Sequence, residues 1–98
     1  MYVALHPEAD AEFSEYAVFY GRQIAGLGSR FIAEVELGIK LLVSHPLIGR
    51  EVEKDFRSFV LATFPFSLIY AIETDRIWIV AISHNNRIPG YWRERKGG

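Results

Sequence analysis

At 98 residues, half of them apolar, with a net charge of −1, the chain is sized for one small globular domain around one core. It has no cysteine, which excludes a disulfide framework and any thiolate metal site. No apolar run reaches the ~18–20 residues needed to cross a bilayer. Met1–Leu5 is too short, and too poor in basic residues, for a secretion signal, so the cytoplasm is the expected location. The charge is uneven. Residues 1–49 carry three Lys/Arg against six acids, whereas residues 50–98 carry eight against six. Arg87, Arg93, Arg95 and Lys96 make the end of the chain locally basic. The overall balance still argues against a general nucleic-acid binder.

In chain order, Tyr2–Leu5 is short and β-prone and reads as a first or edge strand, ended by His6-Pro7. Pro7 suits a first helical turn, and Glu8, Asp10 and Glu12 cluster where a helix N-terminus favours negative charge. A helix is predicted from about Pro7 to Ile24, with Ala9, Phe13, Tyr16, Ala17, Tyr20 and Ile24 on one face. Gly26-Leu27-Gly28 breaks it. A second helix follows from about Ser29 to Ser44, with Phe31, Ile32, Val35, Ile39, Leu42 and Val43 as its stripe. Gly38 inside it suggests a close approach of the two helices. His45-Pro46 ends it, and residues 46–55 read as a loop or irregular strand with a turn at Gly49.

Three strands are then expected, at Phe56–Thr63, Phe66–Glu73 and Arg76–Ser83, with Thr74-Asp75 as a tight hairpin loop. Phe66, Leu68, Tyr70 and Ile72 alternate with Ser67, Ile69, Ala71 and Glu73. Ile77–Ile82 is apolar on both faces and needs cover on both. A basic tail and a final turn of helix close the chain. Helices followed by strands indicate an α+β fold: an N-terminal strand, a helical hairpin, then a three-stranded antiparallel meander in one small sheet. The hairpin covers one face. Nothing else obviously covers the other, which predicts an exposed apolar surface and a protein partner.

Chemistry is sparse in this sequence. His6, His45 and His84 are scattered, so neither a metal nor another cofactor is expected. There is no glycine-rich phosphate loop and no nucleophile elbow. Arg57, His84, Arg87 and Tyr91 could in principle cleave RNA, the arginines stabilising phosphate and His84 or Tyr91 moving a proton. The simpler alternative pairs Arg57 with Glu51, Glu53 or Asp55, makes His84–Asn86 a polar turn, and uses Tyr91-Trp92 to cap the core.

One ordered set of residues is familiar. Phe64-Pro65-Phe66-x-Leu68-Ile69-Tyr70, followed by Ile77-x-Ile79-x-Ala81-Ile82-x-His84-x-x-Arg87-x-Pro89-x-Tyr91-Trp92-x-x-Arg95, resembles the RelE/ParE superfamily of type II toxins, often called plasmid stabilisation proteins. Gly28-x-x-Phe31 and His45-Pro46-x-x-Gly49 fit the same pattern. The resemblance spans roughly Val3 to Arg95. It implies a toxin neutralised by a cognate, ParD-like antitoxin from an adjacent gene. The antitoxin wraps the apolar surface and, through its own DNA-binding half, lets the pair repress their promoter. RelE-like members cleave messenger RNA on the ribosome, whereas ParE-like members poison DNA gyrase. Positions that are basic in RelE-like nucleases fall here on Ser58, Val60 and Ala62, and a further one on Asn85. The resemblance therefore favours the ParE-like branch and a gyrase inhibitor that is not an enzyme. Target contact is then expected from Arg57, Arg87, Tyr91, Trp92, Arg93 and Arg95. The alternatives are a RelE-like endoribonuclease using Arg57, His84, Arg87 and Tyr91, and a non-toxic module that binds an antitoxin.

Overall fold

A computed structural model describes residues 1–95. Whether Lys96–Gly98 is ordered falls outside the described residues. The elements run β1 (Tyr2–Leu5), α1 (Pro7–Gln23), α2 (Leu27–Ser44), β2 (Arg50–Glu53), β3 (Phe56–Val60), β4 (Phe66–Ile72), β5 (Arg76–His84) and a 3-10 turn (Arg93–Arg95). The class is α+β, as expected. The sheet has five strands in the order β1-β5-β4-β3-β2, all antiparallel except the β1–β5 pair.

The expected three-stranded meander is therefore four-stranded. Arg-Glu-Val-Glu has little intrinsic reason to be a strand, and tertiary contacts impose it. The Tyr70 hydroxyl, buried in the sheet, donates to the Pro46 carbonyl at 2.6 Å and accepts from the Gly49 amide at 3.0 Å. Arg57 donates to the Gly49 carbonyl at 2.7 Å. A Cβ at Gly49 would lie 2.7 Å from the Tyr70 hydroxyl, so only glycine lets the loop come this close. The His45-Pro46-x-x-Gly49 pattern is thus a clamp that delivers β2 to the edge of β3.

The helical hairpin packs on one face of the sheet. Phe31, Val35 and Leu42 of α2 and Ala9 of α1 bury against Phe66, Leu68, Tyr70, Ile77, Ile79 and Ile82. Phe31 sits within a ring cluster with Phe13, Tyr20, Phe64 and Phe66. Gly28, not Gly38, carries the close helix–helix approach: its Cβ would meet the Ala17 carbonyl at 2.6 Å. Gly38 instead faces Leu68, Leu61 and Phe59, seating α2 on the sheet.

The opposite face is not open. Phe56, Ile69, Ala71, Trp78, Val80 and Ala81 are buried there together with Trp92 from the tail. The cover missing from the sequence reading is supplied by the end of the chain itself. Exposed apolar side chains remain at Val60 on β3 and Ile88 in the tail, and at Val18, Phe19, Ile24, Leu37 and Val43 on and around the helices.

Candidate functional site

The basic tail returns across the sheet and stops against α1. After β5, residues 85–89 form an exposed turn carrying Arg87 and Ile88. Gly90, in the left-handed region at φ +82°, reverses the chain. Trp92 then drops into the apolar face, its ring 4.8 Å from that of Phe56.

A single carboxylate organises the polar side of this strap. Glu12, buried on α1, accepts from the Tyr91 hydroxyl at 2.7 Å and from Arg95 Nη1 at 3.0 Å. It also accepts from the Ile82 backbone N–H at 3.1 Å. That N–H lies beyond the end of β1, which pairs only with Arg76–Ile79 of β5. Glu12 therefore closes a free strand edge as well as gripping the tail. A bulge in β5 leaves Val80, between Ile79 and Ala81, without a partner in the β4 register, and Arg95 Nη1 donates to its carbonyl at 3.1 Å. Arg95 also pairs with Glu8 at 3.3 Å. Arg87 stacks on the Tyr91 ring, 3.8 Å from its centroid, and Arg95 lies 4.9 Å from the same ring. At the far side of the strap, Arg93 pairs with Glu53 of β2 at 2.6 Å.

These contacts shift two titrations. Burial, reinforced by the neighbouring Glu12, pushes the Tyr91 hydroxyl up to about 12. Burial works against the charge of Arg95, but Glu12, with help from Tyr91 and Glu8, outweighs it and raises the guanidinium above the ordinary arginine value.

The structure brings Arg87, Tyr91 and Arg95 together around Glu12. Trp92 is in the core beneath them, and Arg93 is on the other side. Arg57 is not part of this group. It pairs with Tyr70 on β4, whereas His84 pairs with Phe66 on β4's other side. Four residues along the strand and two strand spacings put their Cα atoms about 16 Å apart. Arg57 holds the Gly49 clamp. His84 stacks edge-on against Phe66 at 5.0 Å, and its Nδ1 accepts from the Asn86 N–H.

Between the 85–92 segment and the strands lies a shallow groove of about 200 Å3, bordered by Arg50, Ser58, Ser67, Ser83, Arg87 and Trp92. Ser58 stands there where the RelE-like pattern would place a basic group. The Ser67 hydroxyl donates to Asn85 at 2.7 Å. Among the described residues no cluster of side chains fits a metal ion.

Sequence reasoning missed Glu12. It reads as one more acid in a helix N-terminus, yet it sits three residues after Ala9 and four before Tyr16, on the apolar stripe of α1. A charge on that stripe signals a buried partner.

Comparison with known proteins decides the family. A family model described as the ParE toxin of the type II toxin–antitoxin system parDE matches residues 3–89. The chain belongs to the ParE toxin family. Among solved structures it resembles a chain of the chromosomal ParDE toxin–antitoxin system from P. aeruginosa, with a TM-score of 0.76 and 20% identity. The match covers 86% of this chain and 95% of that one, and at this identity it speaks for the fold. Among curated protein sequences nothing matches this ParE-family chain.

Proposed function

We propose that this ParE-family chain is the toxin of a type II pair, that it inhibits DNA gyrase by binding, and that a ParD-like antitoxin encoded beside it neutralises it by direct contact. The choice of binding over RNA cleavage rests on the state of Tyr91. A proton-moving group works best with a pKa near the working pH. The Tyr91 hydroxyl is instead tied to Glu12 and pushed up to about 12. The positions that are basic in RelE-like nucleases hold Ser58, Val60, Ala62 and Asn85, Arg95 is held by Glu12 and Glu8, and Arg57 is remote from His84. What the strap offers instead is an exposed turn with Arg87 and Ile88, and Arg93 beyond it. Arginine beside an apolar side chain suits a protein interface.

In this reading Arg87 and Arg93 meet the target, Tyr91, Trp92 and Arg95 hold them in place, and Arg57 supports the β2 edge. The tail already covers the second sheet face, so the antitoxin is left the flanks of the hairpin. One flank has a cleft of about 220 Å3 bordered by Phe13, Ala17 and Ile32 between α1 and α2. Exposed Leu37 and Val43 extend the apolar surface of α2. DNA is contacted only through the antitoxin, and action is in the cytoplasm. No helix among the described residues is long and apolar enough to cross a membrane.

The test is induction of the chain alone in a bacterial host, with DNA and protein synthesis pulse-labelled in parallel. The expected result is an early fall in DNA synthesis, filamentation and an SOS response with translation intact. A collapse of protein synthesis within minutes would overturn the gyrase reading.

A further inference from the structure

We infer that Glu12 is a positioning residue for target recognition: it aims Arg87 through the ring of Tyr91 without touching the target itself. The inference rests on the reading that the 85–89 turn meets the target.

Arg87 sits on a turn with no ladder to hold it, and an arginine there samples many rotamers. Its direct charge contact with Glu12 is long, 4.0 Å, and the Arg87 side chain is 45% exposed, so that pair alone orders it weakly. The Tyr91 ring is the closer support, 3.8 Å from the guanidinium carbon. That ring is fixed from both ends. Its backbone is carried by Gly90 and by buried Trp92, and its hydroxyl is anchored on Glu12. Glu12 in turn is immobile because the Ile82 N–H and Arg95 Nη1 hold its other oxygen. The path from α1 to the surface is therefore Glu12 to the Tyr91 hydroxyl, the Tyr91 ring, and the Arg87 guanidinium. Glu12 is buried and cannot reach a partner, whereas Arg87 can. A side chain ordered before binding loses less freedom on binding.

Tyr91→Phe tests this path, because it keeps the ring and removes the hydroxyl, whose bond to Glu12 at 2.7 Å is the anchor and which otherwise meets only the Ser83 side chain. Binding of the purified full chain to purified DNA gyrase is measured for the unaltered protein, Tyr91→Phe, Arg87→Ala and the double variant. Tyr91→Phe is expected to weaken binding about three- to ten-fold, as release of one ordered side chain implies. In the Arg87→Ala background the same change is expected to add nothing, since the group it positions is gone. An equal loss in both backgrounds would mean that Tyr91 acts only through general stability, and would overturn the inference.

A second readout uses the free protein. The Arg87 Nε–Hε resonance is expected to shift in Tyr91→Phe and in Glu12→Gln. An unchanged resonance in Tyr91→Phe would also overturn the inference, even if Glu12→Gln failed to fold. If the unaltered chain does not bind gyrase, the proposed target is wrong, and this resonance alone then decides whether Glu12 positions Arg87.

Discussion

The two faces of the sheet are closed by different physics. On the helix side, two amphipathic helices bury a continuous apolar layer with Phe31 and Phe66 at its centre, and closure is almost wholly hydrophobic. On the tail side, the end of the chain covers the face. Trp92, with Tyr91 beside it, supplies the apolar contact, while Glu12, Arg95 and the Arg93–Glu53 pair hold the ends down. The first face defines the fold. The second displays a turn whose position depends on a few polar bonds. Both tryptophans, Trp78 and Trp92, are on the tail side, so fluorescence reports that face while far-ultraviolet circular dichroism reports the helices.

The largest effect is expected where closure is hydrophobic. Phe31→Ala should cost about 3–5 kcal/mol in chemical denaturation, with fluorescence and circular dichroism moving together because the whole fold fails. Glu12→Ala leaves an N–H of β5 without its acceptor and Arg95 with only Glu8 and the Val80 carbonyl, and should cost about 3 kcal/mol. Here the two probes should separate, fluorescence changing first as the strap lifts. Coincident transitions in Glu12→Ala would erase the distinction between the faces. Tyr70→Phe removes the clamp on the loop before β2 and leaves the Gly49 N–H without its partner. A loss of about 1–3 kcal/mol is expected, with faster hydrogen exchange at Arg50–Glu53.

High pH sharpens the comparison. Tyr91 is raised from its ordinary value to about 12 in the folded state. Between about pH 10 and 12 the native chain therefore keeps a proton that the unfolded chain releases. The stabilisation is complete below the unfolded value and falls as pH rises through the folded one. Ultraviolet titration should show a tyrosine ionising near pH 12 that disappears in Tyr91→Phe. The smallest effect belongs to Arg93→Ala. Its pair with Glu53 is exposed, and below about 1 kcal/mol should be lost.

Much of this was legible from residue order. The alternation in Phe66–Ile72, the apolar run of β5 and the stripes of both helices gave the class and the hairpin that covers one face of the sheet. The unread parts depend on distant contacts. β2 has no strand-forming composition, and the Tyr70 hydroxyl and Arg57 draw it in from across the sheet. Gly28 and Gly38 look alike in sequence, and only the packing shows which one lets the helices touch. The second face seemed uncovered because the tail read as a basic end, although Trp92 is its lid. Glu12 finds Tyr91 79 residues later, a pairing that local pattern does not reveal. The set proposed to face the target was readable only as a list of cationic and aromatic residues. Burial divides that list into Arg87 and Arg93 at the surface and the residues that hold them.

The most direct test of the central claim is made with purified components. The chain is incubated with DNA gyrase, ATP and plasmid DNA, and in parallel with ribosomes translating a defined transcript. The account predicts lost supercoiling with trapped, broken DNA and an intact transcript. A cut transcript beside normally supercoiled plasmid would contradict it.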